Sequence, residues 1–115
     1  MNIEIWHNPR CSKSRETLKL LEEKNISPQV YLYLEEKPNA KMIDDILLKL
    51  DLSARELLRK SEDAYKDMNL KDKSLNDQEL IKAMVNEPKL IQRPIVIKGN
   101  QARLGRPPEQ VLEIL

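Results

Sequence analysis

Cys11 is the only thiol in the sequence, and its position gives it chemical potential. It follows the β-rich run Ile3-Glu4-Ile5-Trp6 and the turn signal Asn8-Pro9, and it opens a charged helical segment. The unsatisfied N–H groups and the macrodipole at a helix start favour an anion. A thiolate is the nucleophilic form of cysteine, and helix N-termini lower thiol pKa values. A thiol of pKa ~8.5 is only about 3% ionised at pH 7, whereas one lowered to roughly 6.5 is about three-quarters thiolate. Arg10, Lys13 and Arg15 crowd the start of this helix, and Glu22 and Glu23 sit toward its end. Both placements oppose the dipole, as expected where a thiolate or a bound anion supplies the missing negative charge. His7, at the end of the strand, would favour the thiolate if protonated. Ser12 and Ser14 are placed to donate hydrogen bonds to a thiolate or oxyanion, or to cap the helix. The alternative for Cys11 is a small buried core residue.

Two missing patterns narrow the chemistry. A phosphatase-type Cys-x5-Arg loop would need arginine at position 17, which is Thr17. A dithiol Cys-x-x-Cys would need a cysteine at position 14, which is Ser14. Any adduct or oxidised form of Cys11 must therefore be resolved by an external thiol. Arg59, Arg93 and Arg106 each stand near the end of an expected element. Guanidinium groups bind tetrahedral oxyanions in bidentate fashion, so these three are candidates if the fold gathers them. Arg93 precedes Pro94 at the head of an expected strand, a place where a cis peptide can present backbone to a neighbouring site.

The rest of the composition sets limits. The chain has 115 residues, 40% hydrophobic and 34% charged, enough for one compact domain with a Leu/Ile core and no Phe. Twenty basic residues against 19 acidic ones give a net charge of +1, which argues against a general nucleic-acid binder. The longest apolar run, Val30 to Leu34, is too short for a transmembrane helix or a secretory core. One Cys and one His leave no cysteine cage or multi-histidine site for a metal. A cytoplasmic protein with a reduced thiol is expected.

The elements that must position Cys11 follow from periodicity. Residues 3–6 predict a strand, and Cys11 to Lys24 a helix closed by Asn25. Val30 to Leu34 predicts a second, parallel strand buried on both faces. Helices are expected after Pro38-Asn39, with Ile43, Ile46, Leu47 and Leu50 on one face, and after Ser53, whose partner Glu56 completes a capping box. A short helix over 61–67 and one capped by Asn76 and stopped at Glu87-Pro88 follow. Ile95-Val96-Ile97 and Ala102-Arg103-Leu104 form a hairpin through Gly99-Asn100. Pro107-Pro108 starts a terminal helix with Val111, Leu112 and Leu115 on one side. The order β-α-β, helical block, β-β-α is an α/β thioredoxin/glutaredoxin-like mixed sheet in a single domain over 1–115, with a helical insertion at about 39–87.

The segment His7-Asn8-Pro9-Arg10-Cys11-Ser12-Lys13-Ser14-Arg15 resembles the active-site segment of the glutaredoxin-coupled arsenate reductase family. So do Leu32-Tyr33-Leu34, Leu57-Leu58-Arg59-Lys60, Arg93-Pro94-Ile95-Val96 and Arg103-Leu104-Gly105-Arg106-Pro107-Pro108, so the resemblance runs essentially end to end. After the nucleophile this chain has Ser12-Lys13 where some family reductases have Gly-Thr. The resemblance implies a thioredoxin-like fold and a monomeric cytoplasmic enzyme with no bound cofactor. It implies that Cys11 attacks arsenate, that His7 depresses its pKa, and that Ser14 and Asn8 support the site. It assigns Arg59, Arg93 and Arg106 to oxyanion binding, and Pro94 to the cis-proline of the fold. Glutathione as co-substrate would attack the Cys11–arsenic adduct, and glutaredoxin would reduce it to release arsenite. Two other readings remain: a glutathione-linked thiol transferase without arsenate activity, and a partner-binding regulator of the related Spx type. The latter carry Cys-x-x-Cys and lack the His-Asn-Pro segment, so Ser14 and His7-Asn8 favour the enzyme.

Overall fold

A computed structural model describes residues 2–115, which divide into two compact units. The first comprises residues up to Glu36 together with Arg93–Leu115; the second is Lys37–Gln92.

The first unit is a four-stranded mixed sheet of order β2-β1-β3-β4, formed by β1 (Ile3–Trp6), β2 (Gln29–Tyr31), β3 (Ile95–Lys98) and β4 (Gln101–Leu104). β1 pairs parallel with β2, with Ile5 opposite Val30, and antiparallel with β3, with Ile5 opposite Val96. β3 and β4 form the hairpin, with Lys98 opposite Gln101 across a two-residue loop. Gly99 supplies the positive φ of 63° that the first loop position of such a hairpin demands. The thioredoxin-like order expected from the sequence is the order observed.

Alternation along β1 and β3 sends Ile5 and Val96 to one face, where they pack with Leu21, Val111 and Ile114. Leu21 comes from α1 (Ser12–Glu23), the crossover helix between β1 and β2. Asn25 at φ 62° ends that helix, as its place in the sequence predicts. Trp6, one residue on from Ile5, lies near Tyr31 (ring centroids 5.1 Å apart) and Tyr33 (6.3 Å, 19° between planes).

Two sequence expectations change here. The second strand stops at Tyr31, and α2 (Tyr33–Glu36) takes up the rest of the apolar run. The Leu32 carbonyl accepts the Glu36 N–H, and the Glu36 carboxylate accepts the Leu32 N–H, closing a helical turn where the strand was expected to continue. β2 is also an edge strand with Val30 42% exposed, so it is not sandwiched on both faces. The terminal segment Pro108–Ile114 is a 3₁₀ helix rather than an α-helix. With three residues per turn, positions three apart eclipse. Val111 and Ile114 are therefore buried together, and Leu112, expected inward, is 37% exposed.

The second unit is helical. Asn39 caps α3 (Ala40–Leu50) by accepting the Met42 N–H at 2.9 Å. Capping boxes start α4 (Ala54–Leu57, Ser53 with Glu56) and α6 (Asp77–Asn86, Asn76 with Glu79). α5 (Asp63–Asp67) is short, and Pro88–Leu90 forms one 3₁₀ turn. α6 packs against α3, α4 and that turn. Its own Leu80, Ile81 and Met84 are buried, as are Ile43, Ile46 and Leu57. Leu58 and Ile91 close a single antiparallel bridge. Among the described residues no helix is long and apolar enough to cross a membrane.

Ile5 is fully buried at the centre of the first unit's cluster. Ile5→Ala is expected to lower unfolding free energy by about 2–5 kcal/mol, measured by urea denaturation, with no change in slope.

Candidate active site

The site is built by the chain as it leaves β1. The His7 N–H donates to the Tyr31 carbonyl at 3.0 Å and so extends the β1–β2 pairing by one bond. The chain then turns on Asn8. Its backbone carbonyl accepts the Cys11 N–H and its Oδ1 accepts the Arg10 N–H, both at 3.0 Å. This self-bonded Asx turn places Cys11 at the N-cap of α1 with extended backbone, φ −96° and ψ 124°.

At an N-cap the side chain faces the N–H groups of the second and third helical residues. Here those residues are Lys13 and Ser14; the Cys11 side chain makes no capping hydrogen bond, but both N–H groups favour its ionised form. Burial is the largest influence on the Cys11 thiol and pushes its pKa up. The Ser14 N–H, the Arg93 side chain, the Lys13 N–H and the positive charge of Arg93 each pull it down. Together they win, and the pKa lies below its ordinary value of 9.0. Cys11 is partly exposed, so the sulfur remains open to attack an external molecule.

Ser14 stands where a dithiol enzyme would carry its second cysteine. It is fully buried. Its Oγ lies 2.6 Å from His7 Nδ1 and accepts the Asn8 N–H at 3.0 Å. The hydroxyl thus ties the loop and the imidazole to the turn whose N–H groups face the sulfur. Burial first, and the charge of Arg15 second, lower the pKa of His7 from its ordinary 6.5, which disfavours the imidazolium expected from the sequence. The shift favours the neutral ring, which meets the site through its contact with Ser14.

Two of the local basic residues have partners of their own. Arg15 donates to the Pro9 carbonyl at 2.9 Å, and Lys13 pairs with Glu16 at 3.6 Å. The cation that acts on Cys11 is Arg93, from the start of the second half of the sheet. The Arg93–Pro94 peptide is cis, as expected, and Arg106–Pro107 is a second cis peptide that the sequence reading did not include. Arg106 Nη1 donates to the Arg93 carbonyl at 3.0 Å, bracing the loop that carries Arg93. The structure therefore brings together Cys11, His7, Asn8, Ser14, Arg93, Pro94 and Arg106. Arg59 belongs to the second unit, where its N–H donates to the Leu90 carbonyl and its Nε lies 3.4 Å from Glu62. The backbone donors that the sequence places at the helix start are the N–H groups of Lys13 and Ser14.

A half-buried cysteine whose ionised form is favoured by backbone N–H groups and a guanidinium is a candidate nucleophile, and the same donors are of a kind that binds anions. The ArsC family pattern matches residues 6–114 of the chain. The chain belongs to the ArsC family. It is 47% identical to an arsenate reductase of Haemophilus influenzae, over all of both chains. It is 57% identical to the uncharacterized protein YfgD of Escherichia coli K12, covering 98% of this chain and 96% of that one. The fold superposes on a solved arsenate reductase from Vibrio cholerae with a TM-score of 0.98 and 52% identity, covering 100% of this chain and 98% of that one.

The lowered thiol pKa gives a signed prediction. The alkylation rate of Cys11 by iodoacetamide should rise with pH through a midpoint below 9.0. Arg93→Ala removes a hydrogen bond and a positive charge that favour the thiolate, so its midpoint should move up. The stabilising contribution of the thiolate is present above the unfolded thiol's value and is lost as pH falls through the lowered folded value. A midpoint unchanged in Arg93→Ala would mean that the guanidinium does not act on the sulfur.

Proposed function

We propose that this chain is an arsenate reductase that works as a monomer in the cytoplasm, with glutathione and glutaredoxin as its electron donors. The observation that carries the reading is the Cys11 sulfur at the start of α1, favoured as a thiolate by the Ser14 and Lys13 N–H groups and by Arg93. Full-length relatives that bear the name arsenate reductase support the choice of oxyanion.

In this mechanism the thiolate attacks the arsenic of arsenate. An S–As bond forms and an As–O bond breaks, its oxygen leaving as water after protonation. Arg93 binds the oxyanion and offsets the charge that gathers on the equatorial oxygens. Arg106 assists through the loop it braces. Arg59 enters on the family resemblance of its segment. His7 and Ser14 hold the turn that presents the N–H groups, and Asn8 shapes the loop beneath the oxyanion. Because the chain has no second cysteine, the next steps use outside thiols. Glutathione sulfur adds to arsenic as a second oxygen leaves as water. A glutaredoxin thiolate then attacks the glutathione sulfur. The S–As electron pair stays on arsenic, reducing As(V) to As(III), and a glutathione–glutaredoxin disulfide forms. Water displaces Cys11 from arsenic and releases arsenite. One arsenate and two thiols thus give one arsenite, one disulfide and net one water. No bound cofactor takes part.

The test is arsenate-dependent NADPH oxidation coupled through glutathione, glutaredoxin and glutathione reductase. The rate should rise with arsenate and vanish in Cys11→Ser. Arg93→Ala should lose roughly 100- to 1,000-fold in kcat/KM, the usual cost of removing one oxyanion donor. No arsenate-dependent rate from folded protein with an alkylatable Cys11 would overturn the reading in favour of glutathione-linked thiol transfer.

A further inference from the structure

The cation and the nucleophile reach the site on different pieces of chain. Cys11 rides on the first turn of α1, and Arg93 on the segment entering β3. Something must fix one against the other, and Gly105 lies in tight contact with both pieces.

Gly105 is one of only two glycines in the chain. Its N–H donates to the Pro94 carbonyl at 2.9 Å, which ties the end of β4 to the residue after Arg93. A Cβ at Gly105 would collide with Thr17 Oγ1, and it would lie 2.7 Å from Pro94 Cγ and 3.1 Å from Thr17 Cγ2. Only a residue without a Cβ lets the three pieces meet this closely. Thr17 is a fully buried polar residue of α1. Its hydroxyl donates to the Lys13 carbonyl at 2.8 Å, so it also grips the first turn, whose N–H groups face the sulfur. Arg106, next in sequence, braces the Arg93 carbonyl from the outer side.

We propose that Gly105 and Thr17 are positioning residues for the reaction. Their contact clasps the Arg93–Pro94 loop to the first turn of α1 and sets how closely the Arg93 guanidinium approaches the Cys11 sulfur. The proposal deepens the arsenate reductase reading and rests on it for the identity of the reaction, but not for the geometry. Neither residue touches substrate. Both act through Arg93 and through the turn carrying Lys13 and Ser14. A bulkier position 105 would push the loop outward and carry the cation off the sulfur.

The experiment reads the thiol directly and needs no arsenate. The pH profile of Cys11 alkylation is measured on the full chain for wild type, Gly105→Ala, Thr17→Val, and Val111→Ala. The last lies in the same unit's core cluster and supplies a destabilised control. Gly105→Ala and Thr17→Val should both raise the midpoint, making alkylation at pH 7 roughly threefold slower or more. Val111→Ala should lower the melting temperature but leave the profile in place. The double variant Thr17→Ala/Gly105→Ala removes part of the collision and should recover part of the shift. If Gly105→Ala does not fold, Thr17→Val carries the test, since it keeps the shape and loses only the hydroxyl. Profiles of Gly105→Ala and Thr17→Val that superimpose on wild type would overturn the proposal, whatever their stability. Shifted profiles from a protein that turns over no arsenate would uphold the clasp while removing the reductase reading.

Discussion

The structure turns on a competition at one sulfur atom. Burying Cys11 favours the neutral thiol, and that is the largest single influence on it. Against it stand two backbone N–H groups, from Lys13 and Ser14, and one guanidinium, from Arg93. None of these outweighs burial alone, so the lowered pKa depends on several of them arriving at one point. That requirement explains the neighbouring architecture. β1 delivers the loop, Asn8 turns it, α1 presents its N-terminus, and β3 begins with the arginine.

The charges that look important along the chain are not the ones that act. Arg10, Lys13 and Arg15 surround Cys11 in sequence, yet Lys13 pairs with Glu16 and Arg15 donates to the Pro9 carbonyl. A long basic side chain on an exposed helix start finds a near partner or water, and its effect at the sulfur is screened. Arg93 is held by the loop it sits on, and its charge acts at short range from a partly buried position. His7 follows the same rule in reverse. Burial, with the charge of Arg15, disfavours its proton, and its contact with Ser14 contributes geometry.

Ser14 shows how a single-thiol site differs from a dithiol one. A second cysteine at that position would provide an internal route for closing a disulfide. Serine provides none. It supplies an N–H to the thiolate and a hydroxyl that joins His7 to the Asn8 loop. On the proposed reading, that arrangement leaves the electrons to come from outside thiols.

Local physics determined much of this protein. Strand alternation over 3–6, the caps at Asn39, Ser53 and Asn76, the Gly99-Asn100 turn and the helix start at Cys11 depend on contacts a few residues apart, and all are legible in the sequence. So is the candidate nucleophile, because its signal is position at a strand–turn–helix junction. The apolar run 30–34 misled, because the backbone of Leu32 closes a turn with Glu36 and no residue-type pattern distinguishes that turn from a strand. The terminal segment misled because the choice between 3₁₀ and α winding decides whether Val111 pairs with Ile114 or with Leu115, and the segment packs on both β4 and α1, which are distant in sequence or direction from its own pattern. Only the tertiary structure selected Arg93 over the nearer basic residues and brought Gly105 against Thr17. Both depend on which distant backbones touch, and contact between segments far apart in the chain leaves no periodic trace in sequence.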